Sequence, residues 1–374
     1  MYQENIIHPV PLRGPAFFDQ GDESLSRYTL AAYLLMSGML FVNREETMDE
    51  RIDLPTNEEF DVLGINTEIT EQVLPGRFDF REFAQDVIDS VPLSELAEFA
   101  SFANEQGDPD VAALLVALGC NSDDELIRIC ALGSAVDFFH QPTVDIPGQI
   151  AWFLRNAVQP ETFELLSVLL ARINPSPALG YTPPTVAPQT GAATGLMAVH
   201  GTVLPTSQAN RPEWSVPPSG SLFSHIKKFR KDIYASPDYF RWEGGYTDYA
   251  REVAMTNLCD WVNRRGLLGI DVVAHSHGCN VVLGSTSLGI DYKKIVLLSC
   301  PVHWHKYSLR PAKITSDVVS IRTKMDLVIA MDRGGQRFPS GTIKDVILPL
   351  WFTSHGATTK PSTWKSQNLD QYLK

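Results

Sequence analysis

The segment 272–283 contains a serine in a setting typical of a catalytic nucleophile. Its centre reads Ala274-His-Ser276-His-Gly278, so a small residue lies two positions before and two positions after the serine. An apolar, β-branched run precedes this stretch, and an apolar run typical of a helix follows it. The spacing is that of a G-x-S-x-G nucleophile elbow with alanine at the first glycine, where a sharp strand-to-helix turn exposes the serine hydroxyl. The pattern therefore predicts Ser276 as a nucleophile.

A serine nucleophile needs a base, and the base needs an acid that orients it. In the chain order that accompanies this elbow, the acid and then the histidine follow the serine, at the ends of later strands. Asp326 comes shortly after the apolar run 318–322, with Asp317 and Asp332 as alternatives. We prefer Asp326 because it follows the carboxyl end of the predicted strand. His355 follows the last predicted strand, and we predict that it takes the serine proton.

A second short motif predicts donors for the oxyanion that forms during acyl transfer. His200-Gly201-Thr202 closes the first apolar run of this half of the chain. The backbone N–H groups of Thr202 and His277 are the predicted donors, because such holes combine a strand-end N–H with that of the residue after the nucleophile. The His200 side chain is expected to brace this loop. Four residues are candidates for lining the substrate pocket: His200, Gly201, Trp242 and Trp304.

The elements around these motifs are short apolar runs that alternate with helical stretches. Six buried strands are predicted at 196–200, 239–242, 270–274, 294–299, 318–322 and 345–348. Helical patterns lie between them at 221–234, 248–265 and 277–288. Alternation of this kind is typical of a parallel sheet with helices on both faces. The predicted fold class of this half is therefore α/β.

The first half of the chain has a mainly helical pattern and no catalytic constellation. Apolar residues three and four apart predict helices at 26–42, 80–90 and 93–105, and a compact apolar run closed by Gly119 predicts one at 109–118. A capping box at 122–125 predicts a helix at 125–139, and a leading proline supports helices at 147–158 and 160–173. The stretch that follows, 175–191, contains five prolines, too many for a helix or a central strand. We therefore predict a helical domain over 1–174, a proline-rich linker over 175–191 and a catalytic domain over 192–374.

The charge distribution supports this division. Residues 1–174 hold 9 arginines, no lysine and 30 acidic residues, a net charge of −21, whereas residues 175–374 carry +8. The positive charge of the second half is scattered, and its densest cluster, 227–231, is typical of a solvated helix face. Nucleic-acid binding is therefore not expected. We hypothesise that residues 1–174 cap or gate the site, or dock a regulatory protein partner.

Composition limits the remaining classes of protein. With 44% hydrophobic and 20% charged residues among 374, the chain can bury a core, which excludes a disordered or collagenous protein. Its five cysteines, at 120, 130, 259, 279 and 300, form no C-x-x-C pair, a usage that suits a reducing compartment. No apolar run approaches the roughly 18–20 residues of a membrane helix. We expect a soluble, cytoplasmic protein without a transmembrane segment.

The motifs of the second half resemble those of the α/β-hydrolase superfamily, in particular a bacterial lipase- and carboxylesterase-like branch. That branch has H-G at the oxyanion strand, F-x-W-S-G, A-H-S-H-G-G-N at the elbow, and a late D-x-V and histidine. The matching stretches here are His200-Gly, Phe240-Arg-Trp-Glu-Gly-Gly245, Ala274-His-Ser-His-Gly-Cys-Asn280, Asp326-Leu-Val328, and His355 followed by Trp364. The resemblance covers roughly residues 195–374, with Glu243 in place of the serine and Cys279 in place of the second glycine of the elbow motif.

The resemblance implies an α/β-hydrolase fold and a serine hydrolase that cleaves a carboxylic ester through an acyl-enzyme. The predicted substrate is a small-molecule or lipid ester, and neither a metal nor an organic cofactor is expected. A lipid is slightly favoured by apolar residues predicted around the site, each of which suits the core equally well: Leu204, Trp214, Phe223, Trp242, Trp304 and Trp351. His303 and His305 are expected on the pocket wall or surface.

Three alternatives remain from the sequence. A thioesterase and an acyltransferase would use the same three residues with a different substrate or acceptor. A non-catalytic hydrolase-like recognition module is the alternative from another class of protein. A complete triad in the expected chain order argues against that module, because recognition alone does not require all three side chains.

Overall fold

The structure is a computed structural model that describes part of the chain. The described residues are 23–38, 96–97, 100, 112, 115–116, 118–120, 122, 124–138, 150, 153, 160–173, 195–203, 213–303, 305–309, 317–339, 343–349 and 355–374. The chain divides into two compact units, Met1–Leu170 and Ala171–Lys374. The predicted linker, 175–191, and the predicted pocket residue Trp304 lie outside the described residues.

The described residues of the first unit are helical wherever they form regular structure. Its helices are α1 (Glu23–Ser37), α2 (Glu125–Phe138) and α3 (Pro160–Ile173), the last of which runs past the boundary between the units. α1 and α2 pack together, and the Ser134 hydroxyl of α2 donates to the Leu34 carbonyl of α1 over 2.6 Å. The helix predicted at 80–90 lies outside the described residues, and those at 93–105, 109–118 and 147–158 are described only at scattered positions, all of them helical.

The second unit is built on a five-stranded parallel sheet in the order β1-β2-β3-β4-β5. Its strands are β1 (Leu196–Val199), β2 (Ile270–His275), β3 (Tyr292–Leu298), β4 (Asp317–Arg322) and β5 (Lys344–Ile347). Its helices are α4 (Ser221–Ile226), α5 (Asp248–Arg265), α6 (His277–Ser287), α7 (Leu327–Met331) and α8 (Pro361–Ser366), with 3-10 turns at Glu213–Ser215, His355–Thr359 and Leu369–Tyr372. Five of the six predicted strands are confirmed. Helix α4 is much shorter than the predicted 221–234.

The strand predicted at 239–242 is wrong. These residues form no ladder with the sheet, although Phe240 and Trp242 are both buried. Their side chains explain the apolar pattern: Phe240 packs edge-on against Trp261, and the Trp242 indole donates to the His200 carbonyl over 2.8 Å. The two buried aromatic rings lie two positions apart in an irregular segment. Their sequence pattern is therefore the same as that of a strand, which also has a period of two.

Strands β1 to β4 are buried on both faces over most of their length, whereas β5, at the edge of the sheet, has exposed residues at Lys344, Asp345 and Ile347. One face packs against α5 and α6 in a core cluster that includes Val272, Ala274, Leu258 and Val262. The other face packs against α4 and α8 in a second cluster that includes Val273, Val296, Phe223 and Trp364. Burial on both faces accounts for the uninterrupted apolar runs that predicted β1 to β4. The layered sheet and the strand–turn–helix at 270–287 confirm the predicted α/β-hydrolase fold.

Helix α5 shows how local sequence sets the bounds of an element. The Thr247 hydroxyl caps its first turn by accepting from the Ala250 N–H over 3.1 Å. At the other end Gly266 adopts a left-handed conformation with φ of 62°, which glycine reaches without steric cost. The helix therefore occupies 248–265, as the sequence predicts.

Within the described residues, no helix is long and apolar enough to cross a membrane.

The first turn of α6 approaches the end of β1 closely. A Cβ atom at Gly278 would lie 2.3 Å from the His200 carbonyl oxygen and 2.9 Å from that of Val199. Only glycine leaves room for this contact, because the obstructing atoms belong to the backbone. The contact brings the loop after β1 next to the residues that begin α6.

Gly278→Ala is therefore expected to destabilise the protein by about 1–3 kcal/mol, since the backbone must shift to admit the methyl group. Gly284→Ala in the same helix is the matched control: a Cβ there would meet the Met255 sulfur at 2.3 Å, and that flexible side chain can move. Urea unfolding followed by tryptophan fluorescence gives the comparison. A Gly278→Ala variant as stable as wild type would contradict the close approach.

Candidate active site

Ser276 occupies the turn between β2 and α6 in a strained backbone conformation. Its φ is 54° and its ψ is −137°, a combination rare for a residue with a side chain. The turn is anchored by the Ser276 N–H, which donates to the Leu298 carbonyl of β3 over 3.0 Å. A Cβ atom at Gly201 would lie 3.2 Å from the Ser276 hydroxyl oxygen, so the missing side chain at Gly201 leaves space beside that hydroxyl.

The structure brings Asp326 and His355 together. The Asp326 carboxylate accepts a hydrogen bond from His355 Nδ1 over 2.7 Å, and both residues are buried. The other carboxylate oxygen caps α7 by accepting from the N–H groups of Val328 at 3.0 Å and Ile329 at 3.2 Å. Because an ionised carboxylate only accepts, the proton of His355 lies on Nδ1. Of the alternative acids, Asp317 is exposed at the start of β4.

His355 lies beside the residue that precedes Ser276. The rings of His355 and His275 have centroids 4.8 Å apart, and His275 Nε2 donates to the His355 carbonyl over 3.2 Å. Burial lowers the pKa of His275 to about 3, so its ring stays neutral and can donate only from the nitrogen that carries the proton. The turn that carries Ser276 and the Asp326–His355 pair therefore meet at the carboxyl edge of the sheet.

The turn that carries His355 is held by two further hydrogen bonds. The Trp364 indole donates to the Thr358 carbonyl over 2.7 Å, and the Ser299 and Thr358 hydroxyls lie 2.9 Å apart. Trp364 is fully buried in the core between α4 and α8. The position of His355 is thus set by the hydrophobic core and by the end of β3.

His200 braces the loop after β1. Its Nδ1 donates to the Gly201 carbonyl over 2.8 Å, and its ring stacks on Trp242 with centroids 5.7 Å apart. Burial lowers the pKa of His200 to about 4, which keeps the ring neutral. Trp242 is itself buried and bonds to the same loop. The side chains of His200 and Trp242 therefore support the loop after β1, which contains Thr202.

Four side chains form a hydrogen-bonded chain beside Ser276, here termed the elbow network: Thr202, His277, Asp332 and His303. The Thr202 hydroxyl lies 2.6 Å from His277 Nδ1. His277 Nε2 and His303 Nε2 each lie 3.0 Å from the same oxygen of Asp332. The network therefore joins the side chains of the two residues whose N–H groups are the predicted oxyanion donors.

The protonation states in the elbow network fix its hydrogen-bond directions. Burial tends to raise the pKa of Asp332, but His277 and His303 hold it well below its usual value, so the carboxylate is ionised and accepts both bonds. Burial lowers the pKa of His277 despite the opposing charge of Asp332. A neutral His277 that donates from Nε2 must accept at Nδ1, so the Thr202 hydroxyl donates to it.

The elbow network could not be predicted from the sequence, which indicates Asp332 only as an alternative acid and His303 only as a pocket-wall or surface residue. The network joins four separate segments, so no local spacing shows it. One signal was present: Asp326 and Asp332 flank the five residues of α7, and a helix that short places its two flanking carboxylates near each other.

Comparisons with known proteins give limited information. No protein-family model and no curated protein matches the chain. One similar solved structure is described as a YdeN-like hydrolase from Pectobacterium atrosepticum. The two sequences are 12% identical, the TM-score is 0.27, and the alignment covers 48% of this chain and 90% of that chain. Another is XC6422 from Xanthomonas campestris, described as an α/β serine hydrolase without a lid. The two sequences are 14% identical, the TM-score is 0.29, and the alignment covers 49% of this chain and 80% of that chain. The fold assignment rests on the parallel sheet itself.

Proposed function

We propose that the protein is a serine hydrolase that cleaves carboxylic esters through an acyl-enzyme on Ser276. The observation that carries the proposal is the Asp326–His355 hydrogen bond at the same sheet edge as the strained turn of Ser276. A buried carboxylate that orients an imidazole near a serine on a strained turn is the arrangement that activates a hydroxyl nucleophile. The proposed branch is lipase- and carboxylesterase-like, as the sequence motifs suggest.

Acylation starts with proton transfer from the Ser276 hydroxyl to Nε2 of His355. The serine oxygen bonds to the ester carbonyl carbon, and the carbonyl electron pair moves to the oxygen to give a tetrahedral oxyanion. His355 then gives the proton to the leaving alcohol as the C–O bond breaks, which leaves the acyl group on Ser276. Water repeats these steps with the acyl-enzyme and releases the carboxylic acid. Only neutral His355 accepts the first proton.

Asp326 keeps His355 in the productive tautomer. Its bond to Nδ1 leaves Nε2 as the nitrogen with a free electron pair, and its charge stabilises the imidazolium formed after proton transfer. The two N–H groups that cap α7 fix the carboxylate, so it does not rotate away.

The oxyanion is assigned to the backbone N–H groups of Thr202 and His277. Removing one such donor typically costs about 10²–10³ in kcat. The elbow network supports this assignment because a hydrogen bond of 2.6 Å between the Thr202 and His277 side chains holds the two residues together. Asp332 acts here as a positioning residue.

The substrate is assigned as an ester without an acyl-chain length. Three apolar residues expected around the site, Trp214, Phe223 and Trp242, are buried in the two core clusters, so they give no support for a lipid pocket. The other three, Leu204, Trp304 and Trp351, lie outside the described residues. A chain-length series of p-nitrophenyl esters measures this preference, and product analysis with added alcohols distinguishes hydrolysis from acyl transfer.

Ser276→Ala is expected to abolish ester hydrolysis, with a loss on the order of 10⁶ in kcat, because no other group forms the acyl-enzyme. A fluorophosphonate probe should label the wild type on Ser276 and leave the variant unlabelled. Ser287→Ala, an exposed serine at the end of α6, is the matched control and should be labelled like wild type. A Ser276→Ala variant that keeps a tenth of the wild-type activity would disprove the proposal.

Asp326→Asn and Asp332→Asn are expected to differ strongly. Loss of the Asp326 charge should cost about 10⁴ in kcat, because the amide no longer fixes the tautomer or stabilises the imidazolium. Asp332→Asn should cost less than about 100-fold, because it only loosens the support of one oxyanion donor. Steady-state kinetics on one ester, with circular dichroism to verify folding, gives the ranking. The reverse ranking would show that Asp332 is the acid of the triad.

A further inference from the structure

We propose that His277, His303 and Asp332 form a binding site for a divalent transition-metal ion, zinc by the chemistry of its ligands. One nitrogen from each imidazole and one oxygen of the carboxylate lie within 4.8 Å of one another. His277 begins α6, His303 follows β3, and Asp332 follows α7, so three separate elements converge on this point. The proposal does not depend on the esterase assignment.

The donor set is one that zinc prefers. Two imidazole nitrogens and one carboxylate oxygen bind zinc at about 2.0–2.2 Å, with a fourth position left for water. The two nitrogen–oxygen separations of 3.0 Å are already close to those between ligand atoms around one ion. The two imidazole nitrogens lie within 4.8 Å of each other, and coordination requires them to approach through side-chain rotation. His303, the most exposed of the three side chains at 20%, gives an entry path.

The charge of Asp332 provides the second argument. Its side chain is only 7% exposed, and the ion pairs found for it within the described residues are both with histidine. A buried carboxylate is stable when it is paired with a cation or coordinates a metal ion. By contrast, Asp248 is hydrogen-bonded to Arg251 and to Lys306. Asp332 therefore retains a negative charge that a bound cation would balance.

Other groups also face this carboxylate, among them Arg251, Tyr246 and the buried Cys300. The charge of Asp332 acts on Arg251, but that guanidinium donates to Asp248 and to the Tyr307 hydroxyl. The Tyr246 hydroxyl is hydrogen-bonded to Asp332, and burial, together with the charge of Asp332 and this bond, raises the pKa of the phenol. The nearby positive charge weakens cation binding, whereas the bond from Tyr246 orients the ligand, as outer partners of metal ligands commonly do.

Metal binding would reverse one hydrogen bond of the elbow network. When Nε2 of His277 gives its electron pair to the ion, the ring proton must lie on Nδ1. Nδ1 then donates to the Thr202 hydroxyl oxygen, which in the metal-free network is the donor. The ion would thus act on the loop of Thr202 through His277, without contact with the substrate.

The test is zinc binding by the full-length protein, measured independently of activity. After treatment with a chelator and equilibrium dialysis against Zn²⁺, elemental mass spectrometry should find one tightly held zinc per chain. His303→Ala and Asp332→Asn should each weaken zinc affinity by more than about 100-fold, because loss of a ligand exceeds the 10–100-fold cost of losing an outer partner. His305→Ala, an exposed histidine two residues from His303, should bind like wild type.

Cobalt identifies the ligands in the wild-type protein and does not depend on the folding of any variant. The Co²⁺ protein should show visible d–d bands without thiolate-to-cobalt charge transfer, because the proposed site contains no cysteine. A wild-type protein that retains no zinc would overturn the proposal. So would a His303→Ala variant with wild-type affinity, or a cobalt spectrum dominated by thiolate bands.

Discussion

The backbone after β1 and the first turn of α6 lie so close together that the contact excludes side chains from both. A Cβ at Gly278 would be 2.3 Å from the His200 carbonyl oxygen, and one at Gly201 would be 2.5 Å from the Ser276 Cβ. This contact accompanies the positive φ of Ser276, because the chain must reverse sharply between β2 and α6. Thr202 and His277, the residues of the proposed oxyanion donors, lie on either side of the contact, and their side chains are 2.6 Å apart. The proposed chemistry depends on this packing of backbone against backbone.

Helix α7 has an aspartate at each end, and both aspartates bond to residues of the candidate site. Asp326 precedes the helix and bonds to His355, while Asp332 follows it and bonds to His277. The two aspartates thus support the two functions proposed for the site, activation of the serine and stabilisation of the oxyanion. A helix of five residues keeps their separation short and fixed, and Asp326 is fixed further because it also caps that helix.

Strands β1 to β4 could be predicted because both of their faces are largely buried, so that apolar runs mark them directly, whereas the edge strand β5 is largely exposed. Helix α5 was predicted to its exact bounds from its helical pattern between two strands, and the structure shows that Thr247 and Gly266 set those bounds. The segment 239–242 was not predicted correctly, because two buried aromatic rings imitate the period of a strand. Proximity to the end of β4 selected Asp326, which the structure places on His355. The role of Asp332 could not be seen, because Asp332 meets His277 and His303 only after three elements have packed together.

The acyl-enzyme on Ser276 is the central claim, and a slowly hydrolysed substrate tests it most directly. With p-nitrophenyl dimethylcarbamate, a serine hydrolase releases nitrophenol and becomes carbamoylated on its nucleophile. Peptide mapping by mass spectrometry should locate one carbamoyl group per chain, on Ser276, in the same amount as the nitrophenol released. Release of nitrophenol with Ser276 unmodified, or carbamoylation of another residue, would contradict the account.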